Sequence, residues 1–261
     1  MRKTVLVTGA TSGFGKAIAE IFAKNGYDVC ITGRRVERLD ALKQELETGY
    51  GVQVKTLQFD VRDRAAVVSA IDALKQQISQ IDILVNNAGL ASGLSTIDEG
   101  DMDDWDVMID TNVKGLLYVT RQVLPMMKEQ GGHVFNIGST AGKLVYKNGN
   151  VYCATKFAVD ALSQSMRIDL LPYGIKVTAI NPGMAETEFS LVRFKGDEQR
   201  AESVYRGFEP LHAEDIANTV YYCATLPAHV CINDLTITCT NQANGIYTVK
   251  DSEKVNTANK G

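Results

Sequence analysis

Short apolar runs rich in β-branched residues alternate with longer amphipathic stretches along almost the whole chain. Most of the apolar runs lack the polar alternation of a half-exposed strand, which is typical of parallel strands covered by helices on both faces. Alternation of such strands with helices indicates βαβ units. The predicted strands are Thr4–Thr8, Asp28–Thr32, Val52–Phe59, Ile81–Asn86, His133–Ile137, Ile175–Ile180 and Leu235–Cys239. The main predicted helical stretches are Ala17–Lys24, Val36–Leu46, Ala65–Ile78, Trp105–Met127, Tyr152–Leu171 and Ala213–Ala224.

This pattern predicts an α/β fold: a Rossmann-like, doubly wound parallel sheet of about seven strands with helices on both faces. We expect a single domain over residues 1–250, because 261 residues suit one core and no linker or repeat divides them. Residues 184–210 are rich in charge and follow a strand, so we expect an ordered lid over a site. Residues 251–261 are polar and are predicted to form a flexible tail.

Charge and composition exclude several classes of function. The net charge of −4 is typical neither of a DNA-binding nor of an RNA-binding protein. The five cysteines form no CxxC pair and the three histidines are far apart, so no metal site is predicted. No run approaches the roughly 20 apolar residues of a membrane helix. We therefore expect no membrane partner, and a cytoplasmic location by default.

The first predicted strand leads into a glycine-rich loop and then directly into a helix. Glycines at this point allow a tight turn and a close approach to a pyrophosphate, and the helix N-terminus offers free N–H groups. One or two glycines would also suit a plain strand-to-helix turn, but the order strand, loop, helix favours nucleotide binding. The candidate contacts in the loop are Gly9, Thr11, Ser12, Gly13, Phe14 and Gly15.

The end of the second predicted strand carries Arg34 and Arg35 and no acidic residue. An NAD enzyme normally has a carboxylate here for the ribose hydroxyls. Guanidinium groups instead suit the additional phosphate of NADP, through charge-assisted hydrogen bonds. The alternative is that both arginines are merely solvated at a helix start, where the helix dipole disfavours them. NADP(H) is the predicted cofactor.

Tyr152 and Lys156 are four residues apart in a predicted helix, so their side chains share one face. A phenol titrates near 10, and a neighbouring ammonium group lowers that pKa, which makes the phenol a usable acid and base. Such pairs are common on helix surfaces. Ser139 strengthens the interpretation, because it follows the fifth predicted strand, where open α/β sheets bind ligands. Its hydroxyl can stabilise a substrate oxygen, although it could also be a simple turn residue.

Four segments together resemble the short-chain dehydrogenase/reductase family. They are the Thr-Gly-x-x-x-Gly-x-Gly loop, Asn86-Asn87-Ala88-Gly89, the set Ser139 with Tyr152-x-x-x-Lys156, and Asn181-Pro182-Gly183. The resemblance spans residues 3 to about 190 in the expected order. It implies a dehydrogenase that interconverts an alcohol and a carbonyl without a metal, and a homotetramer.

The resemblance also assigns roles to further residues. Lys156 would hold the nicotinamide ribose in addition to tuning Tyr152, and Asn112 would hold a water of the proton relay. The alternative for Asn112 is a satisfied buried amide. Asp60 could equally be a helix N-cap, alone or in addition to its cofactor contact, and Asn86 could equally connect neighbouring strands. The other cofactor contacts implied are Asp60, Val61, Asn87, Ala88, Gly89, Pro182, Gly183 and Thr187.

One subgroup is resembled by residues 184–197 together with Pro227-Ala228-His229-Val230 and Ile232-Asn233-Asp234-Leu235 downstream. It is the NADP-dependent serine and 3-hydroxy acid dehydrogenases, which also reduce malonic semialdehyde. A carboxylate substrate of this kind needs a cation, and Arg193 is the candidate, with Lys195 or Lys143 as substitutes. Two departures flank the expected pocket: residues 143–146 lack a proline and Cys153 replaces a glycine. The alternatives are a reductase of another carbonyl, such as a 3-oxoacyl thioester, steroid, sugar or xenobiotic, and a non-catalytic NADP sensor.

Overall fold

The computed structural model describes residues 2–254, and its centre is one sheet of seven parallel strands. The strands follow the spatial order β3-β2-β1-β4-β5-β6-β7. They are β1 Thr4–Val7, β2 Asp28–Gly33, β3 Val54–Gln58, β4 Ile83–Asn86, β5 Gly132–Ile137, β6 Ile175–Pro182 and β7 Asp234–Ile237. Each end lies within two residues of the predicted one. The predicted doubly wound α/β fold is confirmed.

Helices cover both faces of the sheet and bury two apolar cores. The helices are α1 Gly13–Lys24, α2 Val36–Tyr50, α3 Arg64–Lys75, α4 Met102–Ile109, α5 Leu116–Val123, α6 Asn150–Leu170, α7 Glu188–Arg193, α8 Glu198–Ser203 and α9 Ala213–Thr225. One core joins α1, α2 and α9 to the sheet, and the other joins α3, α5 and α6. The strands between them are buried on both sides, which is why they read as continuous apolar runs.

The fourth predicted helix is longer and less regular than its sequence indicates. It begins at Met102 because the side chain of Asp101 accepts a hydrogen bond from the Asp103 amide and caps it. Between α4 and α5 the chain forms a π-helical turn, Asp110–Gly115, and Gly115 there lies against Val61. Hydrophobic spacing does not reveal a π turn, which often occurs at functional sites. This turn contains Asn112.

The charged segment 184–210 is ordered, and it contains α7 and α8. Thr187 caps α7 and Asp197 caps α8 through side-chain hydrogen bonds. The predicted tail begins with a short 3-10 turn, Asp251–Glu253, whose first amide donates to the carbonyl of Gly207. Residues 255–261 of that tail lie outside the described residues. None of the helices within residues 2–254 is both long enough and apolar enough to cross a bilayer.

Candidate active site

A cavity of about 500 Å³ opens at the carboxyl ends of the central strands. The strand order reverses between β1 and β4, and open α/β sheets bind ligands at such a point. The predicted cofactor residues that line the cavity are Gly9, Thr11, Ser12, Gly13, Phe14, Arg34, Arg35, Asp60, Val61, Asn87, Ala88, Gly89, Tyr152, Lys156, Pro182, Gly183 and Thr187. Ser139 and Arg193 also line it, whereas Gly15 and Asn112 support it from behind.

The glycine-rich loop has the backbone shape that a pyrophosphate requires. Gly9 and Gly13 have φ values of +66° and +50°, which favour glycine. A side chain at Gly15 would overlap the carbonyl oxygen of Gly9, so this helix start lies directly against the loop. The Ser12 side chain does not cap α1, which leaves the first amides of the helix available to an anion. The loop therefore fits a dinucleotide.

The threonine at the end of β1 ties this loop to the next motif. The Thr8 hydroxyl accepts hydrogen bonds from the amides of Asn87 and Ala88, at 3.0 and 2.9 Å. The Asn87 side chain donates in turn to the carbonyls of Thr8 and Gly9. Asn86 points the other way and donates to Thr120 and Asn136. Asn86 thus joins strands to a helix, the structural role that we considered for it.

One end of the cavity is basic. Arg34 lies 3.8 Å from Asp60 across this end, and Arg35 donates to the hydroxyls of Thr11 and Ser12. Burial alone would raise the pKa of Asp60, but hydrogen bonds from Arg62 and its charge hold that pKa below its usual value. The alternative role of Asp60 as a helix N-cap is wrong, because Asp63 caps α3 and Asp60 precedes it by a full turn.

Ser139, Tyr152 and Lys156 converge on the opposite part of the cavity. Helix α6 carries Tyr152 and Lys156, and Ser139 follows β5. The ammonium group of Lys156 donates to the carbonyl of Ile137 at 3.0 Å and lies 5.9 Å from the ring centre of Tyr152. The Ser139 oxygen accepts from the Ala141 amide, which leaves its proton free to donate to a ligand.

Burial affects both titrating groups of this cluster. It raises the pKa of the Tyr152 phenol well above its ordinary value, and Ser139 and Arg193 oppose that rise in part. Burial lowers the pKa of Lys156 to about 8. Tyr152 therefore carries its proton at neutral pH, and a neighbouring cation would have to lower this pKa for the phenol to act as an efficient acid. That Lys156 lowers the pKa of Tyr152 stays a prediction.

Asn112 is fully buried behind the site. Its amide nitrogen donates to the Leu90 carbonyl and to the Thr155 hydroxyl, and its oxygen accepts from the Leu90 amide. The side chain thus fastens the loop after β4 to α6, as a satisfied buried amide would. Its role in a proton relay stays a prediction.

Arg193 is the cation of the lid that faces the catalytic cluster. Its guanidinium lies over the rings of Tyr146 and Tyr152, and its Nε approaches the carbonyl of Gly93 at 3.4 Å. The proposed substitutes do not line the cavity: Lys195 pairs with Asp101 and Asp104, and Lys143 pairs with two acids elsewhere.

The two departures from the family pattern have different positions. Tyr146, in the segment that lacks a proline, lines the cavity. Cys153 points away from it and is completely buried against Ala91, Met108 and Ala141. Cys153 thus flanks the pocket from behind, packed on Ala141 of the cavity wall, and does not line it, since the helix turns its side chain by about 100° from that of Tyr152.

Sequence reasoning missed several residues of the cavity wall. Tyr205, Glu188 and Phe189 come from the lid, and Gln242 and Gly245 follow β7. Gln242 is nearly buried and accepts a hydrogen bond from the Met184 amide. The sequence did contain a signal for Gln242 and Gly245. They follow β7, and residues that follow a strand of a parallel sheet lie at the same carboxyl edge as the ligand site.

Comparisons with known proteins agree with this geometry. The model of the short chain dehydrogenase family matches residues 3–197. The NADP-dependent 3-hydroxy acid dehydrogenase YdfG of Salmonella typhi is 53% identical over 231 residues, which cover 88% of this chain and 92% of that protein. Sulfoacetaldehyde reductase 2 of Chromohalobacter salexigens is 47% identical over 251 residues, 95% and 99% of the two chains.

A solved structure gives the same result for the fold. The closed form of serine dehydrogenase complexed with NADP⁺ is 48% identical, with a TM-score of 0.89 over 94% of this chain and 98% of that one. The chain therefore belongs to the short-chain dehydrogenase family.

Proposed function

We propose that this protein is an NADP(H)-dependent oxidoreductase that interconverts a 3-hydroxy acid with its 3-oxo acid or semialdehyde. One observation carries the proposal: Ser139, Tyr152 and Lys156 meet in one cavity with a lid arginine that lies 5.6 Å from the Tyr152 ring centre. Arg193 makes no ion pair within residues 2–254, and an acid–base group beside such a cation suits a substrate that is both a carbonyl and an anion.

The cofactor groove supports NADP(H). The glycine loop leaves free amides for the pyrophosphate, and Arg34 and Arg35 stand where an NAD enzyme would have an acid. When bound, the nicotinamide would supply or accept a hydride. Lys156 would hold its ribose, since one hydrogen bond to Ile137 leaves two of its donors free.

The residues of the chain would then manage charge and protons. In the reducing direction Ser139 donates a hydrogen bond to the carbonyl oxygen and stabilises the charge that develops there. Tyr152, which burial keeps protonated, gives its proton to that oxygen. In the oxidising direction the same phenol oxygen takes the proton from the alcohol.

Arg193 would bind the carboxylate. It is partly buried and lies across the cavity mouth, so a substrate anion would replace water at the guanidinium and gain charge-assisted hydrogen bonds. The lid function of residues 184–210 belongs to this proposal, because α7 carries Arg193 over the catalytic cluster.

A sulfonate aldehyde is a second candidate substrate. The similarity to the sulfoacetaldehyde reductase covers 95% of this chain, compared with 88% for the 3-hydroxy acid dehydrogenase. A sulfonate presents the same charge to Arg193 with a third oxygen, which Tyr146 could serve as a donor.

The test is an NADP⁺-linked oxidation assay with purified protein. L-serine, L-allo-threonine, 3-hydroxypropionate, 2-hydroxyethanesulfonate and a secondary alcohol are compared by kcat/KM, each also with NAD⁺. We expect the highest kcat/KM for a short 3-hydroxy acid with NADP⁺ as the cofactor. Preference for the uncharged alcohol would contradict the anionic substrate, and absence of turnover on the whole panel would favour a non-catalytic sensor. The homotetramer and the cytoplasmic location stay predictions, and light scattering tests the first.

A further inference from the structure

The first residue of the lid helix α7, Glu188, turns toward the basic end of the cavity. Its Oε1 accepts a hydrogen bond from Arg38 at 2.7 Å, and its Oε2 accepts one from Arg35 at 3.1 Å. Burial alone would raise the pKa of Glu188, but the bonds from these arginines hold that pKa below its usual value. One ionised carboxylate therefore bridges two guanidinium groups.

Of the two bridged arginines, Arg35 lines the end of the cavity that would receive the adenosine phosphate, whereas Arg38 is not among the lining residues. Arg35 follows β2, and its other guanidinium nitrogens donate to Thr11 and Ser12 of the glycine loop. Arg34 is more loosely held, with its side chain 63% exposed and 3.8 Å from Asp60. The guanidinium nearest to the loop hydroxyls is thus the one that Glu188 already occupies.

The 2′-phosphate of NADP(H) and the Glu188 carboxylate would accept hydrogen bonds from the same guanidinium group, that of Arg35. Two anions on one guanidinium repel each other, and a 2′-phosphate brings close to two charges and three oxygens. The phosphate can therefore replace the carboxylate, at the cost of the two ion pairs that Glu188 makes. NAD(H), which has a free 2′-hydroxyl, brings no anion to this position.

We propose that Glu188 is a cofactor-specificity residue that competes with the 2′-phosphate of NADP(H) for Arg35. This inference rests on the proposed function, in which NADP(H) is the cofactor. Glu188 lowers the affinity for NADP(H) and leaves the affinity for NAD(H) nearly unchanged. It therefore reduces the preference of the protein for NADP(H) over NAD(H).

Helix α7 also reaches the substrate end of the cavity. Phe189, next to Glu188, has its ring centre 5.7 Å from that of Tyr152, and the helix ends at Arg193. The Thr187 side chain caps this helix independently of Glu188, so the start of the helix stays held when Glu188 leaves Arg35. The expected effect of Glu188 is therefore on cofactor binding.

The experiment measures equilibrium binding, independently of turnover. NADP⁺ and NAD⁺ are titrated by calorimetry into the parent protein and into Glu188→Gln, which keeps the shape and removes the charge. We expect the Kd for NADP⁺ to fall about fivefold, the size of effect that exposed ion pairs have. The Kd for NAD⁺ should change less than about twofold. Glu188→Ala should show the same difference.

A matched control is available in the same lid. Glu198 holds the same first position in α8 that Glu188 holds in α7, but it makes no ion pair within residues 2–254. Glu198→Gln should leave both affinities unchanged, which separates the competition from any loss of helix N-terminal charge.

The outcomes separate this inference from the proposed function. Unchanged or weaker NADP⁺ binding in Glu188→Gln, in a parent protein that prefers NADP⁺, would refute the competition alone. A parent protein that binds neither cofactor, or that binds NAD⁺ more tightly than NADP⁺ even as Glu188→Gln, would contradict the proposed NADP(H) preference instead.

Discussion

The guanidinium of Arg193 lies 5.6 Å from the ring centre of Tyr152 and 5.5 Å from that of Tyr146. The lid thus places a cation between two phenol rings at the place where the substrate would meet the proton carrier. Its backbone is fixed as well, because the Gly93 amide donates to the Arg193 carbonyl at 3.0 Å. The contact joins lid and catalytic helix, which are about 40 residues apart in sequence.

Arg193→Ala is expected to raise KM for a 3-hydroxy acid by about 10- to 100-fold. This factor corresponds to the binding free energy that a charge-assisted hydrogen bond to the substrate carboxylate contributes. KM for an uncharged secondary alcohol should change much less. Steady-state kinetics on both substrates checks this. Lys195→Ala is the control, since Lys195 pairs with acids outside the cavity. Equal losses on the two substrates would show that Arg193 is not a carboxylate clamp.

Tyr152→Phe is expected to lower kcat by at least about 10²–10⁴-fold, because the variant keeps the ring and loses the proton carrier. Its affinity for NADP⁺ should stay near that of the parent protein. Single-turnover kinetics and calorimetric titration measure the two quantities. Tyr222→Phe removes an exposed phenol and should change neither. Substantial turnover in Tyr152→Phe would assign the proton to another group.

Gly15→Ala is expected to cost about 1–3 kcal/mol of stability and to weaken NADP⁺ binding, because its Cβ would lie 2.5 Å from the side-chain nitrogen of Asn87 and overlap the Gly9 carbonyl. Denaturant unfolding and NADP⁺ titration measure these effects. Gly49→Ala is the control: apart from its chain neighbours and the backbone of its own helix, no heavy atom of residues 2–254 lies within 4 Å of its Cβ, so it should be neutral or stabilise α2 by up to about 1 kcal/mol. Normal stability and binding in Gly15→Ala would mean that the loop can move away.

His133 should make the free energy of unfolding depend on pH. Burial lowers its pKa in the folded protein to about 3, whereas the unfolded chain titrates near 6.5. Thr178 donates to the Ile232 carbonyl, so His133 Nε2 donates to Thr178, and the buried Nδ1 has no partner for an added proton. Below pH 6.5 the unfolded state binds a proton that the folded state does not. Stability is therefore lost as pH falls from about 6.5 toward 3.

The expected slope from this residue is about 1.4 kcal/mol per pH unit. Urea unfolding between pH 7 and 4 measures it as the difference between the parent protein and His133→Gln. The exposed His229→Gln serves as the control. A parallel pH dependence of the parent protein and His133→Gln would show that the ring becomes protonated in the folded state.

The order of strands and helices was predictable because local features specify it. Continuous apolar runs, such as β1 and β4, indicate burial on both faces, and the glycine loop marks the first crossover. The short-range motif of Tyr152 and Lys156 was also readable, since one helix fixes their relative position. Gln242 and Glu188 were not, because no local pattern states which distant group a polar side chain will meet.

The sequence by itself determined the strand order along the chain, the cofactor loop, and the residue types that can carry a proton, because each depends on neighbours within about one turn or one strand. Only the tertiary structure decided which charges are free. It paired Lys143 and Lys195 with acids and left Arg193 facing Tyr152. It also placed Glu188 on Arg35, at the end of the cavity that would receive the cofactor phosphate. The physical reason is that ion pairs and burial depend on the packing of elements far apart in the chain.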